Sequence, residues 1–221
     1  MSKTVIAVNG SPRKTWNTAA LLAKALEGAA AQGAATELVH LYDLDYKGCI
    51  SCFACKLKNG PGLGRCAIRD GLAPLLEKIA AADALILGSP LYFGSVTGEM
   101  RSLLERLLFP YLKYAAGDKR SLFPRILPTA FVYTMNVDQA RLQEFGWDKH
   151  LANNARVLSM VFGGPSEALF AYDTLQFDDY SRYDAPMFDP AAKARSRREN
   201  FPRDLAHAFE LGARLSVGRD A

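Results

Sequence analysis

The four cysteines of this chain lie within 18 residues, in the pattern C-x2-C-x2-C-x10-C, at Cys49, Cys52, Cys55 and Cys66. Cysteines at two successive i, i+3 spacings can turn their sulfurs inward around an iron–sulfur cubane, and one further thiolate completes the ligands. The ten-residue insert is rich in glycine and flexible enough to bring Cys66 to the other three. Structural zinc sites more often use two separated C-x2-C pairs. The pattern predicts a [4Fe–4S] cluster and leaves a structural zinc ion and cluster-free thiols as alternatives.

A second stretch with binding chemistry follows the first apolar run, where TVIAVN leads directly into GSPRKTWNT. A strand that enters a helix N-terminus presents free backbone N–H groups and the positive end of the helix dipole to an anion. The same turn concentrates hydroxyl, amide and guanidinium donors, at Ser11, Arg13, Thr15, Asn17 and Thr18. Neither G-x-x-x-x-G-K-S/T nor G-x-G-x-x-G is present, so a single phosphomonoester fits better than a nucleoside triphosphate or a dinucleotide.

A third stretch, SPLYFGSVTG at residues 89–98, follows another apolar run that also ends in Gly-Ser-Pro. Tyr92 and Phe93 offer flat apolar surface, and Gly94 lets the backbone approach a planar ring closely. Such aromatic residues are more often part of a core. Their place in a loop after a strand favours contact with a ligand.

These loops need a scaffold, and the chain alternates apolar strand-like runs with amphipathic helical segments. Strands are predicted near residues 5–8, 36–41, 83–90, 128–133 and 166–175, and helices near residues 15–32, 72–79, 100–108, 139–160 and 205–215. This alternation is typical of a parallel sheet covered on both faces. It predicts a doubly wound α/β domain of the flavodoxin-like order 2-1-3-4-5, in which the loops after strands 1 and 3 meet at the switch point.

We expect the domain to cover residues 1–175, with a long cysteine loop at residues 47–70. Residues 176–221 form a C-terminal helical extension, with Leu205, Phe209 and Leu215 on one side, that packs on the domain or on a neighbouring subunit. The basic run Lys193, Arg195, Arg197 and Arg198 is interpreted as a solvated helix face, with capture of a pyridine-nucleotide phosphate as the alternative. The stretch FDDY at residues 177–180 is a candidate cover for a neighbouring subunit's ligand.

Composition excludes several classes of function. The 221 residues are 49% hydrophobic and 23% charged, which excludes a disordered or fibrous chain. A net charge of +4, spread along the sequence, argues against nucleic-acid binding. The sequence has no apolar stretch of about 20 residues and no signal-peptide pattern, so we predict a cytoplasmic protein with no membrane role. In that compartment the cysteines are thiols or ligands, not disulfides.

The segments GSPRKTWNTAALL and GSPLYFGSVTGEMRSLLERL resemble, in order and spacing, the NADPH-dependent FMN reductase group of flavodoxin-like proteins, over about residues 3–110. The resemblance implies FMN as cofactor. It implies that Ser11, Arg13, Asn17 and Thr18 hold the phosphate. It also implies that the isoalloxazine is lined by Pro90, Leu91, Tyr92, Phe93 and Gly94, and that Thr134, Met135 and Asn136 match the position of a third flavin contact.

The cysteine loop resembles that of iron–sulfur flavoproteins, a branch of the same group that carries a [4Fe–4S] cluster beside FMN; here the insert before Cys66 is longer. The resemblance implies an FMN-dependent oxidoreductase that moves electrons between a donor such as NAD(P)H or ferredoxin and a small acceptor, as a homodimer or homotetramer. A cluster-free NAD(P)H:FMN or quinone reductase and a non-enzymatic redox carrier or sensor are the alternatives. No acid–base residue is assigned.

Overall fold

The computed structural model describes residues 2–115 and 120–217. It contains a five-stranded parallel sheet in the order β2-β1-β3-β4-β5. The strands are β1 Thr4–Asn9, β2 Ala35–His40, β3 Ala84–Pro90, β4 Leu127–Thr134 and β5 Gly163–Ala171. The helices are α1 Asn17–Ala31, α2 Ala73–Ala81, α3 Gly98–Leu108, α4 Gln139–Glu144, α5 Trp147–Phe162, α6 Pro190–Glu199 and α7 Phe201–Val217. The predicted fold class and strand order are confirmed.

Alternate side chains of the strands enter two separate cores, because successive residues of a strand point to opposite faces of the sheet. Ile6 and Leu85 contribute to the core beneath α2, α3 and α5. Val5 and Ile86 contribute to the core beneath α1 and α7. The central strands are therefore apolar along their whole length, which is why their sequences read as continuous apolar runs.

The register brings the carboxyl ends of the central strands to one edge of the sheet. Asn9 pairs with Gly88, and Pro90 pairs with Thr134. The N–H of Gly10 then donates to the carbonyl of Gly88 over 2.7 Å. The loops after β1, β3 and β4 consequently begin side by side, which is the geometry expected at the switch point.

Helix α7 lies directly on α1, and two glycines set the close approach. A Cβ added at Gly28 would lie 1.9 Å from the carbonyl oxygen of Phe209, and one added at Gly212 would lie 1.7 Å from that of Ala25. Any larger residue at either position would force the helices apart. Leu205 and Leu215 of the predicted apolar side pack into the core, whereas Phe209 is 37% exposed and Leu211 is buried instead. The division into residues 1–175 and 176–221 stays a prediction.

Two predicted boundaries also differ. The helix expected over residues 139–160 is two helices, because Gly146 adopts a left-handed φ of 68° before α5 begins. Strand β5 starts at Gly163 and ends at Ala171, earlier than predicted. No helix within residues 2–115 and 120–217 is both long enough and apolar enough to cross a bilayer.

Candidate functional site

The turn after β1 is built by side chains that accept backbone N–H groups. The Asn9 carboxamide oxygen accepts from the N–H of Ser11 over 3.0 Å, and the Ser11 hydroxyl accepts from the N–H of Arg13 over 3.1 Å. Asn9 is itself held by the Nδ1 atom of His40 over 2.9 Å. These short-range bonds compete with helix formation and delay the start of α1 until Asn17.

The N-terminus of α1 has no side-chain cap and no acidic residue in its first turn. The first N–H groups of a helix have no partner within the helix, so they are available to an anion unless a side chain accepts from them. Asn17 and Thr18 are buried at this end, and the Thr18 hydroxyl bonds that of Thr134 over 2.8 Å. An uncapped, partly covered helix N-terminus that leads out of β1 fits a phosphate group.

The loop after β3 is tied to the first turn by Thr97. Its hydroxyl donates to the carbonyl of Gly10 over 2.7 Å and caps α3 by accepting from the N–H of Met100. Its own N–H donates to the Ser89 hydroxyl over 3.0 Å. The two loops predicted to share a ligand are therefore held at a fixed separation.

A cavity of about 480 Å³ opens where these loops meet the ends of β4 and β5. We call it the switch-point cavity. It brings together ten of the predicted site residues, which are Ser11, Arg13, Asn17, Thr18, Pro90, Leu91, Tyr92, Thr134, Met135 and Asn136. It lies within the size range of small-molecule sites and combines apolar walls with a few polar groups at one end.

Three predicted residues lie outside this lining: Thr15, Phe93 and Gly94. Residues 92–95 form a tight turn in which Phe93 and Gly94 have φ of 52° and 76° and the N–H and carbonyl groups of Tyr92 and Ser95 bond each other. Positive φ at both central positions is the pattern of a type I′ turn. It leaves the Phe93 side chain fully exposed and packs Gly94 against Trp147.

Residues 174–178, which follow β5, form one wall of the switch-point cavity. Only residues 177–180 of this region were predicted from the sequence as a candidate cover for a ligand. Trp16 Nε1 and Asn17 Nδ2 donate to the carbonyl of Leu175 over 3.0 and 2.7 Å. The Arg13 guanidinium lies 3.8 Å from the Trp16 ring and donates to the carbonyl of Gln176. Phe177, predicted to cover a neighbouring subunit's ligand, lines this chain's own switch-point cavity.

The interpretation of the basic run as a solvated face is wrong for two of its members. Lys193 is 5% exposed; its ammonium donates to the Asn136 carbonyl over 2.8 Å and pairs with Asp173. Arg197 donates to Asn17 Oδ1 over 2.9 Å and stacks on Phe201. Lys193 and Arg197 are four residues apart and share one face of α6, whereas Arg195 and Arg198 are exposed.

The four cysteines line a second, small cavity together with residues of α3 and the turn that follows it. We call it the thiol cavity. Cys55 is buried, Cys49 and Cys66 are half-buried, and Cys52 is exposed. Burial raises the pKa of the Cys55 thiol. All four predicted ligands are therefore brought to one place.

Within the described residues, no group of three or more His, Cys, Asp or Glu side chains is close enough to hold a metal ion. A zinc ion needs four ligands that converge at about 2.3 Å from one point. The thiolates of a cubane bind four different irons at its corners and do not converge in this way. Four thiols at one cavity are ligands that both an iron–sulfur cluster and a structural zinc ion take.

Side-chain bonds join the cysteine loop, residues 47–70, to α3 and the residues that follow it. Glu105 accepts from the backbone N–H of Cys49 over 3.2 Å. The Lys56 ammonium donates to three carbonyls of residues 109–112. Ser51 and Phe53 have left-handed φ of 54° and 55°, a costly conformation that is concentrated at functional sites.

Arg106 is the residue of this region that sequence reasoning missed. Its guanidinium is fully buried and pairs with Asp70, which is 21% exposed. Although partial burial opposes it, the hydrogen bond and charge of Arg106 hold the pKa of Asp70 below its usual value. The available signal was its place on the apolar side of α3, three residues after the buried Leu103 and one before the buried Leu107.

The sequence model of the NADPH-dependent FMN reductase family matches residues 4–168. The chain belongs to this family. The predicted resemblance is thereby confirmed, and the matched segment carries β1 to β4 and most of β5. The family match ends before residues 174–178, which complete the switch-point cavity.

Curated relatives include iron–sulfur flavoproteins. One from Methanocaldococcus jannaschii is 40% identical over 102 residues, which are 46% of this chain and 50% of the relative. One from Archaeoglobus fulgidus is 41% identical over 102 residues, 46% of this chain and 47% of the relative. The chain thus matches about half the length of these relatives.

Among solved structures, an NAD(P)H:quinone oxidoreductase from Methanothermobacter marburgensis superposes with a TM-score of 0.67 at 14% identity, covering 96% of both chains. A quinone reductase from Klebsiella pneumoniae superposes with a TM-score of 0.64 at 15% identity, covering 95% of this chain and 83% of the other. At these identities the superpositions show a shared fold only.

Proposed function

We propose that this chain is an FMN-dependent oxidoreductase with FMN in the switch-point cavity and a [4Fe–4S] cluster at Cys49, Cys52, Cys55 and Cys66. It would move electrons between a reduced donor, such as NAD(P)H or ferredoxin, and a small acceptor. The observation that carries the proposal is the uncapped N-terminus of α1 at the end of a cavity of about 480 Å³. Family membership makes FMN the flavin of choice for that cavity.

Bound FMN would supply two-electron exchange with a hydride donor and one-electron exchange with the cluster. The chain's own part is binding and orientation. The N–H groups at the start of α1 oppose the charge of the phosphate, and the Arg13 guanidinium adds a cation beside them. Pro90, Leu91 and Tyr92 form an apolar wall that excludes water from one side of a planar ring.

The assignment of the cluster is supported by the donor set. Four thiols share one cavity whose other walls include Phe53, Ile68, Phe109 and Pro110. Apolar walls limit access of water and oxygen to the sulfurs. Relatives that match part of this chain are named iron–sulfur flavoproteins.

The test of the flavin site compares FMN with riboflavin, which lacks the phosphate. The purified apoprotein should bind FMN far more tightly than riboflavin. Arg13→Gln should weaken FMN binding and leave riboflavin binding almost unchanged, while the exposed Arg198 of α6 provides the charge-matched control Arg198→Gln. Equal affinity for the two flavins would refute the phosphate site.

The test of the cluster is iron and sulfide analysis with electron paramagnetic resonance after anaerobic reconstitution. Iron and sulfide in equal amounts, with a signal that appears on dithionite reduction, are expected. Bound FMN without iron would instead identify a cluster-free NAD(P)H:FMN or quinone reductase. Bound FMN without turnover of either pyridine nucleotide would identify a redox carrier or sensor. The homodimer or homotetramer and the cytoplasmic location stay predictions.

A further inference from the structure

Arg106 carries a buried charge that lies outside the switch-point cavity and has its acceptors outside the sheet and the helices. Its side chain has no exposed surface, although it lies on a helix whose neighbouring buried residues are Leu103 and Leu107. A buried guanidinium is destabilising unless its N–H groups are paired with good acceptors. A leucine at this position would fill the same space without that cost.

The acceptors of Arg106 all belong to the cysteine loop. Nε donates to Cys66 Sγ over 3.4 Å, and Nη2 donates to the Ile68 carbonyl over 3.2 Å. Nη1 donates to the Lys47 carbonyl over 3.1 Å and to Asp70 Oδ2 over 2.5 Å. One side chain on α3 therefore joins the first residue of the loop to its last residues.

The bonds of Arg106 explain how Cys66 comes to lie near the other cysteines. Ten residues separate it from Cys55, and the spacing alone does not place it. The Arg106 bonds to residues 66, 68 and 70 hold the C-terminal part of the loop against α3. The planar fork of an arginine makes several such bonds at once, which a lysine cannot do.

We propose, resting on the cluster assignment above, that Arg106 is a positioning residue that delivers Cys66 to the cluster and raises the cluster's reduction potential. A hydrogen bond to a ligand sulfur and a buried positive charge both favour the reduced cluster, which carries one more negative charge. Asp70 opposes part of this effect, because its carboxylate neutralises the guanidinium. The local charge of the pair then sets the potential.

The opposite charges of the pair give a test that separates tuning from simple support of the loop. The cluster potential is measured by anaerobic titration followed by electron paramagnetic resonance, in the full chain with FMN bound. Arg106→Gln and Arg106→Lys should lower the potential, and the glutamine variant should lower it more. Asp70→Asn should raise it. Arg214→Gln, which removes an exposed arginine paired with Glu167 on the other side of the sheet, should leave it unchanged.

A merely structural role would shift the potential of the Arg106 and Asp70 variants in the same direction, or not at all, and would overturn the proposal. If Arg106→Gln fails to retain iron, Asp70→Asn decides: an unchanged or lowered potential refutes the tuning role. A wild-type chain that binds FMN but no iron would overturn both this inference and the cluster assignment. If the wild-type chain holds a cluster but the Arg106 and Asp70 variants leave its reduction potential unchanged, only this inference is overturned.

Discussion

The switch-point cavity and the thiol cavity differ in what holds their residues in place. The first is formed where β1, β3 and β4 end, so strand pairing sets the positions of its walls. The second lies in a loop whose only regular element is the short turn Ala54–Lys56. There, side chains of α3 and the loop's own Lys56 hold the loop in place by hydrogen bonds, as backbone pairing holds the strands of the sheet. We therefore expect a substitution that empties one site to leave ligand binding at the other unchanged.

The largest effect is expected from Cys55→Ser, which removes the buried cysteine of the thiol cavity. A serine hydroxyl is a poor ligand for the iron of a cluster, so the variant should lose the cluster. FMN content should stay at the wild-type level, because no residue of the cysteine loop lines the switch-point cavity. The measurement is iron, sulfide and flavin per chain after anaerobic reconstitution. Loss of FMN together with iron would show that the two sites are coupled.

The reciprocal change is Asn17→Asp in the switch-point cavity. The new carboxylate would lie at the N-terminus of α1, where it competes with a phosphate for the helix dipole and repels it. It would also face the Leu175 carbonyl that Asn17 Nδ2 now bonds over 2.7 Å. FMN affinity should fall roughly 30-fold, about 2 kcal/mol, as measured by fluorescence titration of the apoprotein.

Two internal controls sharpen this second prediction. Riboflavin affinity should change much less, because riboflavin has no phosphate to repel. Iron content should not change, because Asn17 and the cysteine loop lie apart in the fold. An equal loss of FMN and riboflavin affinity would mean that the variant distorts the cavity and that phosphate repulsion is not the cause.

Two glycines near the start of α3 provide a matched pair with a smaller effect. Gly94 has a φ of +76°, and an added Cβ would lie 2.5 Å from Trp147 Nε1, whereas a Cβ at Gly98 would meet no atom within 4 Å. Left-handed backbone costs a non-glycine residue about 1–2 kcal/mol. Gly94→Ala should weaken FMN binding about tenfold and lower the melting temperature, and Gly98→Ala should do neither. Similar behaviour of the two variants would refute a role for the turn.

The contrast between a site built on strand ends and a site held by side chains also explains which features of the structure the sequence predicts. Apolar runs that end in Gly-Ser-Pro predicted β1, β3 and the meeting of their loops, because a buried strand and a sharp turn are both local properties. The break at Gly146 was missed, since helical spacing continues on both sides of it. Arg106 and Lys193 were missed because a charged residue in a helix is normally solvent-facing. Their burial depends on acceptors 36–59 and 20–57 residues away.

The smallest effect is expected from Trp16→Phe, which tests the wall that residues after β5 add to the switch-point cavity. Phenylalanine keeps an aromatic face beneath Arg13, which now lies 3.8 Å from the Trp16 ring. It removes only the indole N–H that donates to the Leu175 carbonyl over 3.0 Å. That carbonyl still accepts from Asn17, so the loss is one of two bonds, about 1 kcal/mol. FMN affinity should fall about fivefold, and Trp16→Leu, which also removes the face beneath Arg13, should cost more. If both variants bind FMN like the wild type, residues 174–178 do not help to hold the flavin, and strand ends alone form the site.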